Sequence, residues 1–277
     1  MGGKNDMNLS PGALPPEHLL PPLETLAEDL RALATRSDAA ARCLAASTTG
    51  TFVDRDGRED ALNMIRVSPA GLALVAHLSR CNPAKISIDI GFGMGGSVAM
   101  ALAAQKDRGG SFTHVSFDPF GLVQGGAVVQ TYLEGEFPDE FKRVWKSSQI
   151  GLSQLLDQQG PGCAGYVFVD GGHTFEQVMV DFSLSDQLCC VDGHIVFDDS
   201  YYPAIEGVIE YIRTNRPDYV VWDNPVPNTS VVRKVSYNYP SWDAFEPFTL
   251  PNRRRWTPLV SDWDASLPPE RPGATSL

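Results

Sequence analysis

Two groups of residues in this chain have the types and spacing to do chemistry. The first is the run Asp89-Ile90-Gly91-Phe92-Gly93-Met94-Gly95-Gly96. Its glycines let the backbone turn sharply and let a ligand approach closely. A helix starting behind such a turn aims its free N–H groups at an anionic group. The run reads in two ways. Gly91, Gly93 and Gly96 form Gly-x-Gly-x-x-Gly, which suits a dinucleotide, and Asp89, Gly91, Gly93 and Gly95 form Asp-x-Gly-x-Gly-x-Gly.

The second group is Asp170-Gly171-Gly172-His173 together with Asp198-Asp199-Ser200. Three carboxylates brought to one place repel one another unless a cation sits among them. Carboxylate oxygens are hard ligands, so the cation would be Mg²⁺, Mn²⁺ or Ca²⁺ rather than zinc. His173 stands just before Thr174, which is placed to cap a helix, and an imidazole there is a candidate general base. Asp118 adds a carboxylate able to accept hydrogen bonds from both hydroxyls of a ribose. His18, His77, His114 and His194 show no comparable setting.

These residues work together only if the fold brings them to one edge, and the hydrophobic pattern describes such a fold. Leu23, Leu26, Leu30 and Leu33 recur at helical spacing, which predicts one helix over residues 23–47. Ser68 as N-cap and Pro69 at the first helical position begin another. From Lys85 onward strand and helix alternate. Strands are predicted at residues 86–88, 113–117, 142–145, 166–169 and 194–197, with helices between them. Two more, at 219–222 and 230–235, have no helix between them, so one of the pair should run antiparallel.

Repeated strand–helix units imply an α/β fold, with a doubly wound, mostly parallel sheet of seven strands behind an N-terminal helical extension. Ligands of such sheets sit beyond the carboxyl ends of the strands. Asp89 and its glycines, Asp118, Asp170 and Asp198 all stand at such ends. The expected organisation is an extension over residues 1–67, the sheet domain over 68–239 and a Pro-rich tail over 240–277.

The chain has 277 residues with 22 basic and 34 acidic ones, a net charge of −12. That balance argues against nucleic acid as a partner, because phosphate neutralisation needs clustered Lys and Arg. Arg253, Arg254 and Arg255 are the only basic run and read as a solvated edge or a carboxylate clamp. No apolar stretch is long enough to span a membrane, and the first twenty residues hold no signal-type apolar core. Five cysteines without Cys-x-x-Cys spacing fit neither a disulfide framework nor a zinc site, so a reducing cytoplasm is expected. The apolar N-terminal helix suggests a subunit contact, and hence a homo-oligomer.

Taken together, these stretches resemble the class I S-adenosylmethionine-dependent methyltransferases. More narrowly they resemble the metal-dependent small-molecule O-methyltransferases of antibiotic biosynthesis, the cephalosporin hydroxylase-like and macrolide sugar methyltransferase group. The resemblance spans about residues 68–236. It rests on the glycine turn, on Phe-Val-Asp-Gly-Gly-His-Thr-Phe-Glu-Gln-Val-Met-Val-Asp from Phe168 to Asp181, and on Phe197-Asp198-Asp199. It implies that Asp170, Asp198 and Asp199 bind Mg²⁺ and that His173 is the base. It also implies that Asp89, Gly91, Gly93 and Gly95 hold the methionine end of the cofactor and Asp118 its ribose. Ser147, Ser148 and Gln149 would lie near the adenine, with Asp170 beside the cofactor, although the family's usual Gly-Asp-Ser is not matched there. Residues 119–141 look like an insertion in which Phe120, Tyr132 and Phe137 could cover the substrate, and Tyr201 and Tyr202 could wall the pocket.

The implied reaction is methyl transfer to an oxygen of a small acceptor that chelates the metal: a sugar diol, a catechol or a 2-hydroxy carboxylic acid, in natural-product biosynthesis. Three rival readings stand beside it. They are an NAD-dependent oxidoreductase on the same fold, a methyltransferase whose acidic pair orients the acceptor without metal, and a non-catalytic S-adenosylmethionine-binding protein.

Overall fold

The computed structural model describes residues 20–62, 67–120, 126–237, 241 and 243–250. Arg253, Arg254, Arg255 and most of the Pro-rich tail lie outside the described residues.

The chain opens with α1 (Leu23–Arg36) and α2 (Asp38–Thr49). These are two helices where periodicity predicts one. Ser37 leaves the helix for an extended conformation and its hydroxyl accepts from Ala40 N, capping α2. An N-cap serine thus competes with the leucine repeat and wins locally. A small hairpin follows, β1 (Thr51–Val53) paired antiparallel with β2 (Glu59–Ala61). Its turn is built on Asp54, whose Oδ1 accepts from the N–H groups of Asp56 and Arg58, and on Gly57 at φ +80°.

α3 (Pro69–Arg80) begins as predicted, with Ser68 Oγ accepting from Gly71 N at 3.0 Å and Pro69 in the first turn. The alternation then runs β3 (Ile86–Ile90), α4 (Gly96–Arg108), β4 (Thr113–Phe117), α5 (Ala127–Glu136), β5 (Phe141–Val144), α6 (Ser148–Gln159), β6 (Ala164–Val169), α7 (Phe175–Leu188), β7 (Cys189–Phe197) and α8 (Pro203–Asn215). A hairpin of β8 (Tyr219–Val226) and β9 (Thr229–Lys234) closes the chain. The seven-stranded sheet has the order β5-β4-β3-β6-β7-β9-β8. Only β9 runs against its neighbours, as the missing crossover helix requires.

Two apolar layers cover the sheet. One joins Leu26, Leu30 and Leu33 of α1 to α2, α3 and α4. The other sets α6, α7 and α8 against the opposite face through Leu152, Phe182 and Ile209. The apolar stripe of α1 that suggested a subunit contact is therefore buried inside the subunit. Tyr132 and Phe137, expected over the substrate, are buried in the first layer instead, with Tyr132 edge-on to Phe52 and its hydroxyl donating to Asp38. All five cysteines are free. Among the described residues no helix is long and apolar enough to cross a membrane.

Candidate functional site

The order in which successive strands are added reverses between the parallel neighbours β3 and β6, and the loops after the parallel strands converge there. They enclose a cavity of about 440 Å³. Backbone hydrogen bonds stitch the strand ends together: Gly91 N donates to Phe117 O, Asp170 N to Ile90 O, and Asp198 N to Val169 O.

The glycine turn forms one wall through Gly91, Phe92, Gly93, Met94, Gly96 and Ser97. Gly91, at φ +95°, packs directly on the carbonyl of Asp170, where any side chain would collide. Gly95 caps α4 at φ +72° and fits under Phe92 and Val129, so it shapes the turn without lining the cavity. Asp89 is fully buried beneath the turn. Its Oδ2 accepts from Ser97 Oγ at 2.7 Å, while Oδ1 has no hydrogen-bond partner. Burial pushes this carboxyl well above the usual carboxylate range, and the charges of Asp170 and Asp118 push the same way.

At the end of β4, Asp118 lines the cavity. Its Oδ1 accepts from Phe120 N at 2.9 Å, and its Oδ2 faces Arg143 Nη2 at 3.4 Å. Arg143, to which the sequence pattern assigns no role, is clamped between the rings of Phe92 (3.8 Å) and Trp145 (4.1 Å). At the end of β5, Ser147, Ser148 and Gln149 form the start of α6 and line the cavity, as does Phe120. The N-terminal segment contributes too, through Cys43, Ser47 and Leu62, a contribution that no motif announces.

The acidic cluster lies after β6 and β7, which are parallel neighbours with Val169 opposite Phe197. Asp170, His173 and Asp199 each place a ligand atom within 4.8 Å of the others. His173 Nε2 lies 3.7 Å from Asp170 Oδ1 and 3.9 Å from Asp199 Oδ2. Thr174 caps α7 behind it, accepting from Gln177 N at 3.4 Å. Tyr202 stacks on the imidazole at 5.0 Å and Tyr201 stacks on Tyr202 at 4.5 Å. Asp199 reaches the cluster from a left-handed backbone conformation, φ +50°, which aspartate tolerates better than most residues. Asp198 also lines the cavity, but its Oδ1 accepts from Thr229 Oγ1 at 3.2 Å, and it stands outside the tightest trio. Burial, then Asp170 and Asp199, push its carboxyl well above the usual range. The imidazole is thus a fourth possible ligand beside the three carboxylates.

The sheet order, with a glycine turn after β3, a carboxylate after β4 and an acidic cluster after β6 and β7 at its switch point, is that of a class I methyltransferase fold. Residues 88–200 match the family model described as methyltransferase domain. The match spans the glycine turn and favours its Asp-x-Gly-x-Gly-x-Gly reading over the nicotinamide one. No curated protein matches the chain. Among solved structures it is similar to an SAH-bound methyltransferase from Podospora anserina, with TM-score 0.51, 16% identity, and coverage of 79% of this chain and 99% of that one. It is likewise similar to an O-methyltransferase from Bacillus cereus in complex with SAH, with TM-score 0.51, 12% identity, and coverage of 79% and 94%. A Corynebacterium glutamicum protein gives TM-score 0.52 at 18% identity, covering 76% and 98%. At these identities the likeness is one of fold.

Proposed function

We propose that this enzyme transfers a methyl group from S-adenosylmethionine to an oxygen of a small chelating acceptor, a sugar diol, a catechol or a 2-hydroxy carboxylic acid, in natural-product biosynthesis. The observation that carries the reading is the convergence of Asp170, His173 and Asp199 at the cavity that the glycine turn also lines. The Bacillus cereus protein of the same fold is named an O-methyltransferase, which supports oxygen as the acceptor atom.

The residues present fit both groups the reaction needs. Asp89 Oδ1 is a buried acceptor without a partner beneath the glycine turn, and the space beside Gly96 is open. Asp89, Gly91, Gly93 and Gly95 would hold or shape the methionine end, Asp118 the ribose, and Ser147, Ser148 and Gln149 the base end, with Asp170 alongside. Asp170, Asp198 and Asp199 would hold Mg²⁺, or Mn²⁺ or Ca²⁺; burial first, and then the charges of Asp170 and Asp199, raise the Asp198 carboxyl, and a cation would offset both. When bound, the cation supplies Lewis acidity that makes an acceptor hydroxyl easier to deprotonate.

The chain's own residues do the rest. The cavity walls align the acceptor oxygen with the sulfonium methyl. His173 takes the hydroxyl proton as the O–CH₃ bond forms and the S–CH₃ bond breaks. Tyr202 holds the imidazole plane.

Calorimetric titration of S-adenosylmethionine, then of Mg²⁺ into that complex, tests the reading on the native chain and on Asp198→Ala. Cofactor heat in both, with Mg²⁺ heat lost in the variant, is the expected result. Full activity in chelator would remove the metal from the mechanism, and absent cofactor heat would remove the reading.

A further inference from the structure

α7 brings one more carboxylate to the cavity. Asp181 is 1% exposed, yet it lines the same space as Asp118 and Ser148. Its Oδ1 has no hydrogen-bond partner. Burial pushes the carboxyl up to about 6, with a hydrogen bond from Ser148 acting the other way. A buried, half-satisfied carboxylate is costly, so its survival in a binding cavity points to a donor brought by the ligand.

Position selects that donor. The cavity runs across the strand ends from the turn after β3, past Asp118 after β4, to the start of α6 after β5. α6 packs beside α7, which sets Ser148 against Asp181. Gly171 borders the same carboxylate, since a Cβ there would stand 3.8 Å from Asp181 Oδ2, in van der Waals contact. A nucleoside whose sugar sits on Asp118 places its base at this end. The ring nitrogens of adenine outside the glycosidic bond are acceptors, which a carboxylate rejects. The six-amino group is the base's only N–H donor. We infer that Asp181 is the base-selecting residue of the cofactor site, accepting a hydrogen bond from the six-amino group of adenine through Oδ1. This rests on the S-adenosylmethionine reading and adds to it a specificity residue from α7.

The test is calorimetric and needs no acceptor or metal. S-adenosylhomocysteine is compared with its analogue carrying hydrogen in place of the six-amino group. The native chain should prefer the amino ligand about ten- to a hundredfold, the range for a hydrogen bond to a charged group. Asp181→Leu and Asp181→Ala should bring the two ligands within about threefold, and one cooperative melt between the variants suffices for the comparison. Asp181→Asn keeps an acceptor oxygen and should retain most of the preference. A native chain indifferent to the amino group overturns the inference with no variant needed, and so does a native preference that survives in Asp181→Leu. A native chain that binds neither ligand defeats the cofactor reading itself, an outcome distinct from both.

Discussion

Arg143 Nη2 lies 3.4 Å from Asp118 Oδ2, and the same guanidinium is stacked between Phe92 and Trp145. The carboxylate after β4 is thus backed by a cation from β5 that is itself held by a residue of the glycine turn. Arg143→Met keeps the stem between the rings and removes the charge. It should weaken S-adenosylhomocysteine binding about tenfold, read by calorimetry, because Asp118 and Asp89 then share their surroundings without a counter-charge. Arg143→Lys should recover little, since an ammonium cannot stack as a planar fork.

His173→Gln should lower kcat by about 10²–10⁴, the usual contribution of a positioned base. S-adenosylhomocysteine affinity should change by less than about twofold. A parallel loss of cofactor affinity would mean that the ring supports the pocket rather than the proton transfer.

Asp199 combines a ligand-type carboxylate with a left-handed backbone. Asn tolerates that conformation and Ala does not. Asp199→Asn should therefore keep the native melting temperature within about 2 °C while losing Mg²⁺ heat, whereas Asp199→Ala should lose both. Dialysis of the native protein against chelator should abolish turnover, and added Mg²⁺ should restore it. Equal melting points for the two variants would show that the backbone stores no strain.

Asp181 also predicts a pH dependence of stability. Its folded value of about 6 lies above the ordinary 3.8 of an unfolded aspartate. A raised carboxyl lends stability below pH 4, and that stability drains away as pH rises through 6. Above that range a buried charge costs about 3 kcal/mol. Asp181→Asn should melt several degrees above the native chain at pH 8 and level with it at pH 4. Equal shifts at both pH values would assign the effect to packing.

Asp186 anchors a buried ionic network behind the sheet. It accepts from Arg216 Nη2 (2.9 Å), Tyr219 OH (2.7 Å) and Lys234 Nζ (2.9 Å), and Arg216 is shared with Asp218. Burial alone would raise the Asp186 carboxyl, and these donors overrule it and hold it low. Asp186→Ala should cost about 3 kcal/mol in urea unfolding, because Lys234 and part of Arg216 are left buried without their partner.

What the sequence by itself determined is local. Ser68 with Pro69, the apolar run before Asp170, the glycines after Ile90 and the missing helix before β9 each carry their physics within a few residues, and each is legible for that reason. Gly57 and the aspartates around it also signal a turn, so the β1–β2 hairpin was within reach of the same reasoning. The break at Ser37 was not, because periodicity averages over the one residue where a side chain outbids the helix. The rest depends on which faces meet. Tyr132 in the core, Arg143 between two rings, Cys43 and Ser47 at the cavity and Asp181 under its floor are ordinary helix and strand residues until the sheet order is known. A carboxylate becomes a recognition group only when packing takes water away from it, and burial is a property of the assembled chain.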